Sequence, residues 1–286
     1  MTNEVRKFKI TVSIILAVMV LWTAFISAAF FYHNRSDTIR REGERFGIYV
    51  CGIPVQYKNA ADVLGDGTVM YDPGANMLTL SNATLEYGGS AAIFAEKDLT
   101  IVLEGENRII CTGTESAMGI YVSDYMLRKD VSFMGSGTLS VENIGEGNPV
   151  AAGIVADDVW AYSNISIAFS GAAEASAGIE CDHLYLMGEN TVTVKMDAAG
   201  ESNGVFVTGN LNLLDNATLD VTNIRDGKNV RGIECIGSFL ACKGSTVNST
   251  YGEDGFGILC HSVFFDYGTT VNSEIDAIDG IRVEKD

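Results

Sequence analysis

The chain has 286 residues, 47% of them hydrophobic, so it can bury a core and is not a disordered tail. Its formal charge is −18, and residues 46–286 alone, with 12 basic and 33 acidic groups, carry −21. A surface of that sign repels nucleic acid and anionic lipid headgroups, and suits cations, neutral sugars or plain solubility.

In chain order, residues 1–9 read as a cytoplasmic tail. Ile10 to Tyr32 is an uncharged run of 23 residues. A helix of that length spans a bilayer, and Phe30, Phe31 and Tyr32 suit an interface. The competing reading is a signal peptide cleaved after Ala29, at Ser27-Ala28-Ala29. The run is long for a signal segment, which favours an uncleaved anchor. Three Lys/Arg precede it and four follow before residue 46, so charge does not orient it. Residues 33–45 form a charged linker.

Residues 46–77 fit no repeat. Phe46–Val55 and Gly67–Tyr71 read as strands and Asp72-Pro73-Gly74 as a turn, together a β cap over the start of a solenoid. From residue 78 a small residue followed by an aliphatic one recurs: Ala92-Ile93, Gly119-Ile120, Gly153-Ile154, Gly178-Ile179, Gly204-Val205, Gly232-Ile233, Gly257-Ile258 and Gly280-Ile281. The intervals run from 23 to 34 residues. An alternating run follows each of the first seven, as in Leu99–Leu103, Leu184–Leu186 and Leu211–Leu214, and then a third run such as Thr191–Val194. Three short strands per repeat, each alternating with period two, make one turn of a triangular coil. The fold class expected is all-β: a right-handed, single-stranded parallel β-helix of about eight coils over residues 78–286, behind an N-terminal transmembrane helix. Asn82, Asn107, Gly137, Asn164, Asn190, Asn216, Gly244 and Gly268 precede the third strands, which predicts a left-handed residue at each bend.

Six cysteines show no metal-binding spacing. Cys181, Cys235 and Cys260 each stand three residues after an anchor glycine, where other coils carry Ala or Val. They read as small buried hydrophobes.

The segments Ile48–Val55, Ala61–Val69, Tyr71-Asp72-Pro73, Asn76–Ala83 and Asp98–Asn107 resemble the opening of β-helical surface proteins of Gram-positive anaerobes. Those are similar to a carbohydrate-binding parallel β-helix family with a pectate-lyase-like fold and no known lyase activity, some members of which bind calcium. The resemblance covers roughly residues 46–286. It implies an extracellular β-helix, hence a cytoplasmic N-terminus and a single-pass location in the cell membrane. It also implies a polysaccharide partner, a cell-wall or plant-type glycan, and no nucleic acid.

Catalysis needs convergent groups, and few are visible. Asp157-Asp158 is the only adjacent Asp pair, and neighbours on a strand face opposite ways. His33, His183 and His261 are not clustered. No catalytic residue is assigned, and a polysaccharide lyase or hydrolase is the less favoured alternative. Asp98, Asp124, Asp157, Asp158 and Asp182 follow the anchor strands on successive coils. They read as a calcium column or as ordinary turn aspartates. Outward columns set Trp160 beside Tyr185, with Tyr121 and Glu180 one strand back. These four read as a glycan platform or as packing that steadies the sheet. The function expected is a membrane-anchored, surface polysaccharide-binding β-helix, possible calcium included. The alternative is a structural or adhesive stalk that binds protein.

Overall fold

The computed structural model describes residues 44–286 except 115, 125, 145–149, 171–174, 198–200, 225–229, 254, 278–280 and 284–286. The expected tail (1–9), membrane segment (10–32) and all but the end of the linker (33–45) lie outside the described residues. Among the described residues no helix is long and apolar enough to cross a membrane. The described residues of 45–55 and 59–286 form one compact unit.

That unit is a parallel β-solenoid of about six turns, and its described elements are all strands. Each turn contributes to three columns. The first holds Ala91–Ala95, Ser116–Val122, Val150–Val155, Ala175–Cys181, Glu201–Val207, the start of Val230–Ala241, the start of Phe256–Phe265, and Ile275–Ala277. The second runs from Met77–Ser81 through Leu99–Glu104, Val131–Met134, Asp158–Ala161, His183–Leu186 and Leu211–Leu213 to the ends of the two long strands and Ile281–Val283. The third is a separate eight-stranded sheet from Thr84–Tyr87 to Thr270–Asn272. Alternation places Val, Ile and Leu inside: Ile120, Ile154, Ile179, Val205 and Ile233 are fully buried and in register.

The solenoid has about six turns rather than the eight expected, and the last anchor was misplaced. Ile281 pairs with Val263 in the second column, and the first-column partner of Ile258 is Ile275. Gly280-Ile281 therefore marks no new turn. At the other end Arg45–Val50 lies antiparallel on Ala91–Ala95, with Tyr49 opposite Phe94. Val69–Asp72 lies antiparallel on Met77–Ser81. These two strands occupy edges that would otherwise expose unpaired backbone.

The bend column also differs from expectation. Asn82, Asn216, Gly244 and Gly268 do have positive φ. In the turns before Asn107, Gly137 and Asn190 the left-handed residue is instead Gly105, Gly135 or Gly188, two residues earlier. Asn107 is buried, in register with Leu139, and its amide donates to Thr138 O and accepts from Ala83 N. It holds the bend by hydrogen bonds that a leucine there could not make.

Cys181, Cys235 and Cys260 are buried free thiols on the inner face, with Cys235 opposite Cys260. Burial pushes Cys235 up to about 11 and Cys260 to about 12.

Candidate functional site

The anchor glycine shapes the outer surface. Gly153 and Ile154 are both buried, as are Gly178 and Ile179, so alternation breaks there and two successive residues face inward. The residue before the glycine and the residue two after it then both face outward, on either side of a bend. The first outward set is Met118, Ala152, Ala177, Asn203 and Arg231; the second is Tyr121, Val155, Glu180, Phe206 and Glu234. Where the middle rungs carry Ala152 and Ala177, the bend opens into a groove of about 440 Å³.

Two of the four expected glycan residues, Tyr121 and Glu180, line this groove. Tyr121 continues a lane of rings: Tyr49 lies 5.8 Å from Phe94, and Phe94 lies 5.7 Å from Tyr121. Glu180 is paired with Arg128, which arrives from the inserted loop between Val122 and Val131. At the far end Arg231 Nη1 donates to Glu234 at 2.6 Å. Three polar atoms of lining residues, Ser176 Oγ, Asn203 Oδ1 and Arg231 Nε, are buried without a hydrogen-bond partner. Ser176 stands in register with Ala151 and Ser202, which line the groove with it.

Trp160 and Tyr185 sit apart from the groove, in the second column. They are register partners, half-buried, with ring centroids 3.8 Å apart and planes 11° from parallel. Rings that close must lie face on face. They cover one face of each other, and the free faces look towards Ser132 on one rung and Asn212 on the other.

The five aspartates do not converge as a set. Asp124 closes its own loop, accepting from Met126 N and Leu127 N and pairing with Lys129 at 2.8 Å. Those contacts, Lys129 foremost, hold its carboxyl at about 2. Asp98 accepts the amide of Asp130, and Asp130 accepts that of Asp158, as links of a polar ladder. The ladder continues with His183 Nδ1 accepting from Asn210 N and Asn210 Oδ1 accepting from Ser238 N. Asp157 is exposed. Asp158 and Asp182 do meet, together with His183, within 4.8 Å. Burial raises the pKa of Asp158 and of Asp130, and neighbouring aspartates add to it.

His183 is a poor ligand in that trio. Its Nδ1 takes a backbone proton, so the neutral ring carries its own proton on Nε2, which faces Asp182 Oδ2 at 3.6 Å. No lone pair is left for a metal. A hard cation would rest on Asp158 and Asp182 oxygens alone.

Sequence reasoning missed Asp130, Arg128, Asn203 and Arg231. Strict alternation points the residue before the anchor glycine inward, and only the break at the glycine turns Asn203 and Arg231 outward. Asp130 was hidden by the inserted loop, which shifts the register so that Asp124 looks like its equivalent. No protein-family model, no curated protein and no solved structure matches this chain.

Proposed function

We propose that the chain is a surface polysaccharide-binding module: a right-handed β-helix held outside the cell by residues 10–32, binding rather than cleaving its glycan. The observation that carries this is the groove at the anchor-glycine bend, where an aromatic lane ending at Tyr121 meets Glu180 on an otherwise small-residue floor. Flat rings pack on the C–H faces of sugars, and carboxylates accept their hydroxyls. The face-stacked Trp160 and Tyr185 offer a second aromatic surface. The strongly acidic solenoid supports a neutral or cation-bridged partner over nucleic acid. Calcium, in this reading, sits at Asp158 and Asp182 and relieves the repulsion among the neighbouring aspartates.

The test is retention of the full chain on insoluble plant and cell-wall polysaccharides. Retention that weakens at least tenfold in Tyr121→Ala supports the reading. No retention on any of them overturns it and leaves the protein-binding stalk. For the anchor, the chain should stay in the membrane pellet after alkaline carbonate, and protease added to intact cells should remove the solenoid.

A further inference from the structure

We infer that the groove itself is the glycan subsite, and that it takes a neutral oligosaccharide lying along the solenoid axis between Tyr121 and Phe206. This deepens the glycan-binding reading and rests on it. Register sets the scale. Tyr121, Val155, Glu180 and Phe206 are successive partners across four turns. The two rings are thus three strand spacings apart, about 14 Å at ~4.8 Å each, a span that about three linked pyranose rings fill.

The floor fits an apolar sugar face. Between the two aromatic rungs the outward residues Ala152, Ala177 and Val155 are buried and apolar, with the paired Glu180 beside them. Two unmatched polar atoms stand together at one end. Asn203 and Arg231 are register partners there. An unmatched acceptor, Oδ1, and an unmatched donor, Nε, therefore border the groove on adjacent rungs. A hydroxyl completes such a pair, since it gives one hydrogen bond and takes another. An ether, a methyl or a carboxylate cannot do both.

Charge excludes an acidic sugar. The two arginines bordering the groove are already engaged, Arg128 by Glu180 and Arg231 by Glu234. A uronate carboxylate would have to displace a glutamate and enter a domain of net charge −21. A neutral ring asks for neither.

The experiment is a glycan array carrying neutral gluco-, xylo-, manno- and galacto-oligosaccharides graded in length, with oligogalacturonates alongside. It is probed with the full chain, Asn203→Ala and Ala177→Trp, whose indole would fill the floor, each checked for an unchanged melting temperature. The inference predicts binding to a neutral series that rises with length and levels off near three rings. It predicts roughly tenfold weaker binding for Asn203→Ala, the cost of one hydrogen bond, and loss of binding for Ala177→Trp. If Ala177→Trp does not fold, Asn203→Ala decides alone. Binding that ignores the groove variants, and falls instead in Trp160→Ala, overturns the groove and keeps the glycan reading. Binding confined to oligogalacturonates overturns the neutral class. Binding to nothing on the array overturns both.

Discussion

A β-carbon placed on Gly178 would lie 2.3 Å from Cγ1 of Val194, a residue of the third strand in the same turn. The relation repeats up the solenoid, with Gly119 against Val141, Gly153 against Ile167 and Gly204 against Val221. No left-handed backbone angle is involved at these glycines. The demand is for space: the inner face of the bend touches the opposite wall, and the outer face of the same bend is the floor of the groove.

Gly178→Ala should therefore cost about 1–3 kcal/mol through overpacking. The double variant with Val194→Ala should recover only part of that. The added methyl would still lie 2.4 Å from the carbonyl oxygen of Gly204 on the next turn. Urea denaturation midpoints measure both. A full recovery in the double variant would show that the side chain, not the neighbouring turn, sets the limit.

Asp130 separates charge from hydrogen bonding. Its Oδ1 accepts the Asp158 amide, while its carboxylate stands among Asp98, Asp157 and Asp158. Asp130→Asn keeps an oxygen acceptor and removes the repulsion, so it should leave stability equal or raised. Asp130→Ala removes the acceptor and should cost about 1 kcal/mol. Equal losses in the two variants would contradict the ladder.

The same crowding sets a pH dependence. Burial raises the folded-state pKa of Asp158, so the folded protein holds that proton more tightly than the unfolded chain does. The strain is present at neutral pH and relieved as pH falls through the raised folded value towards 3.8. Asp158→Asn should accordingly melt higher than wild type at neutral pH, with the difference shrinking on acidification. Millimolar calcium should raise the melting temperature of wild type and not that of Asp158→Asn. A calcium response equal in both would place the ion elsewhere. Asp124 runs the other way, its stabilising contacts being lost as pH falls from 3.8 to about 2.

The inner thiols make a simple chemical prediction. Cys181 is raised well above the ordinary thiol value by burial, as Cys235 and Cys260 are. All three should resist maleimide at neutral pH in the native protein and react once it is denatured. Rapid native labelling, or a disulfide between Cys235 and Cys260, would contradict their inward placement.

The sequence showed the columns better than the corners. Gly153-Ile154, Gly178-Ile179 and Gly204-Val205 announced the first column because a glycine is needed where two walls touch, and Leu99, Leu184 and Leu211 announced the second by alternation. Bends were less legible. Asn107 satisfies its turn with side-chain hydrogen bonds, Gly105 supplies the left-handed angle, and both solutions look alike in a string of letters. The outward stacking of Trp160 on Tyr185 followed from register alone. The groove did not, because it depends on a break in alternation at the very residue used to count turns.

The most direct test of glycan recognition on this face is affinity electrophoresis of the full chain through gels cast with soluble neutral polysaccharides. The account predicts that wild type is retarded by at least one of them and that Tyr121→Ala, folded to the same melting temperature, migrates at least tenfold closer to its sugar-free position. Equal retardation of both proteins, or of neither, would contradict it.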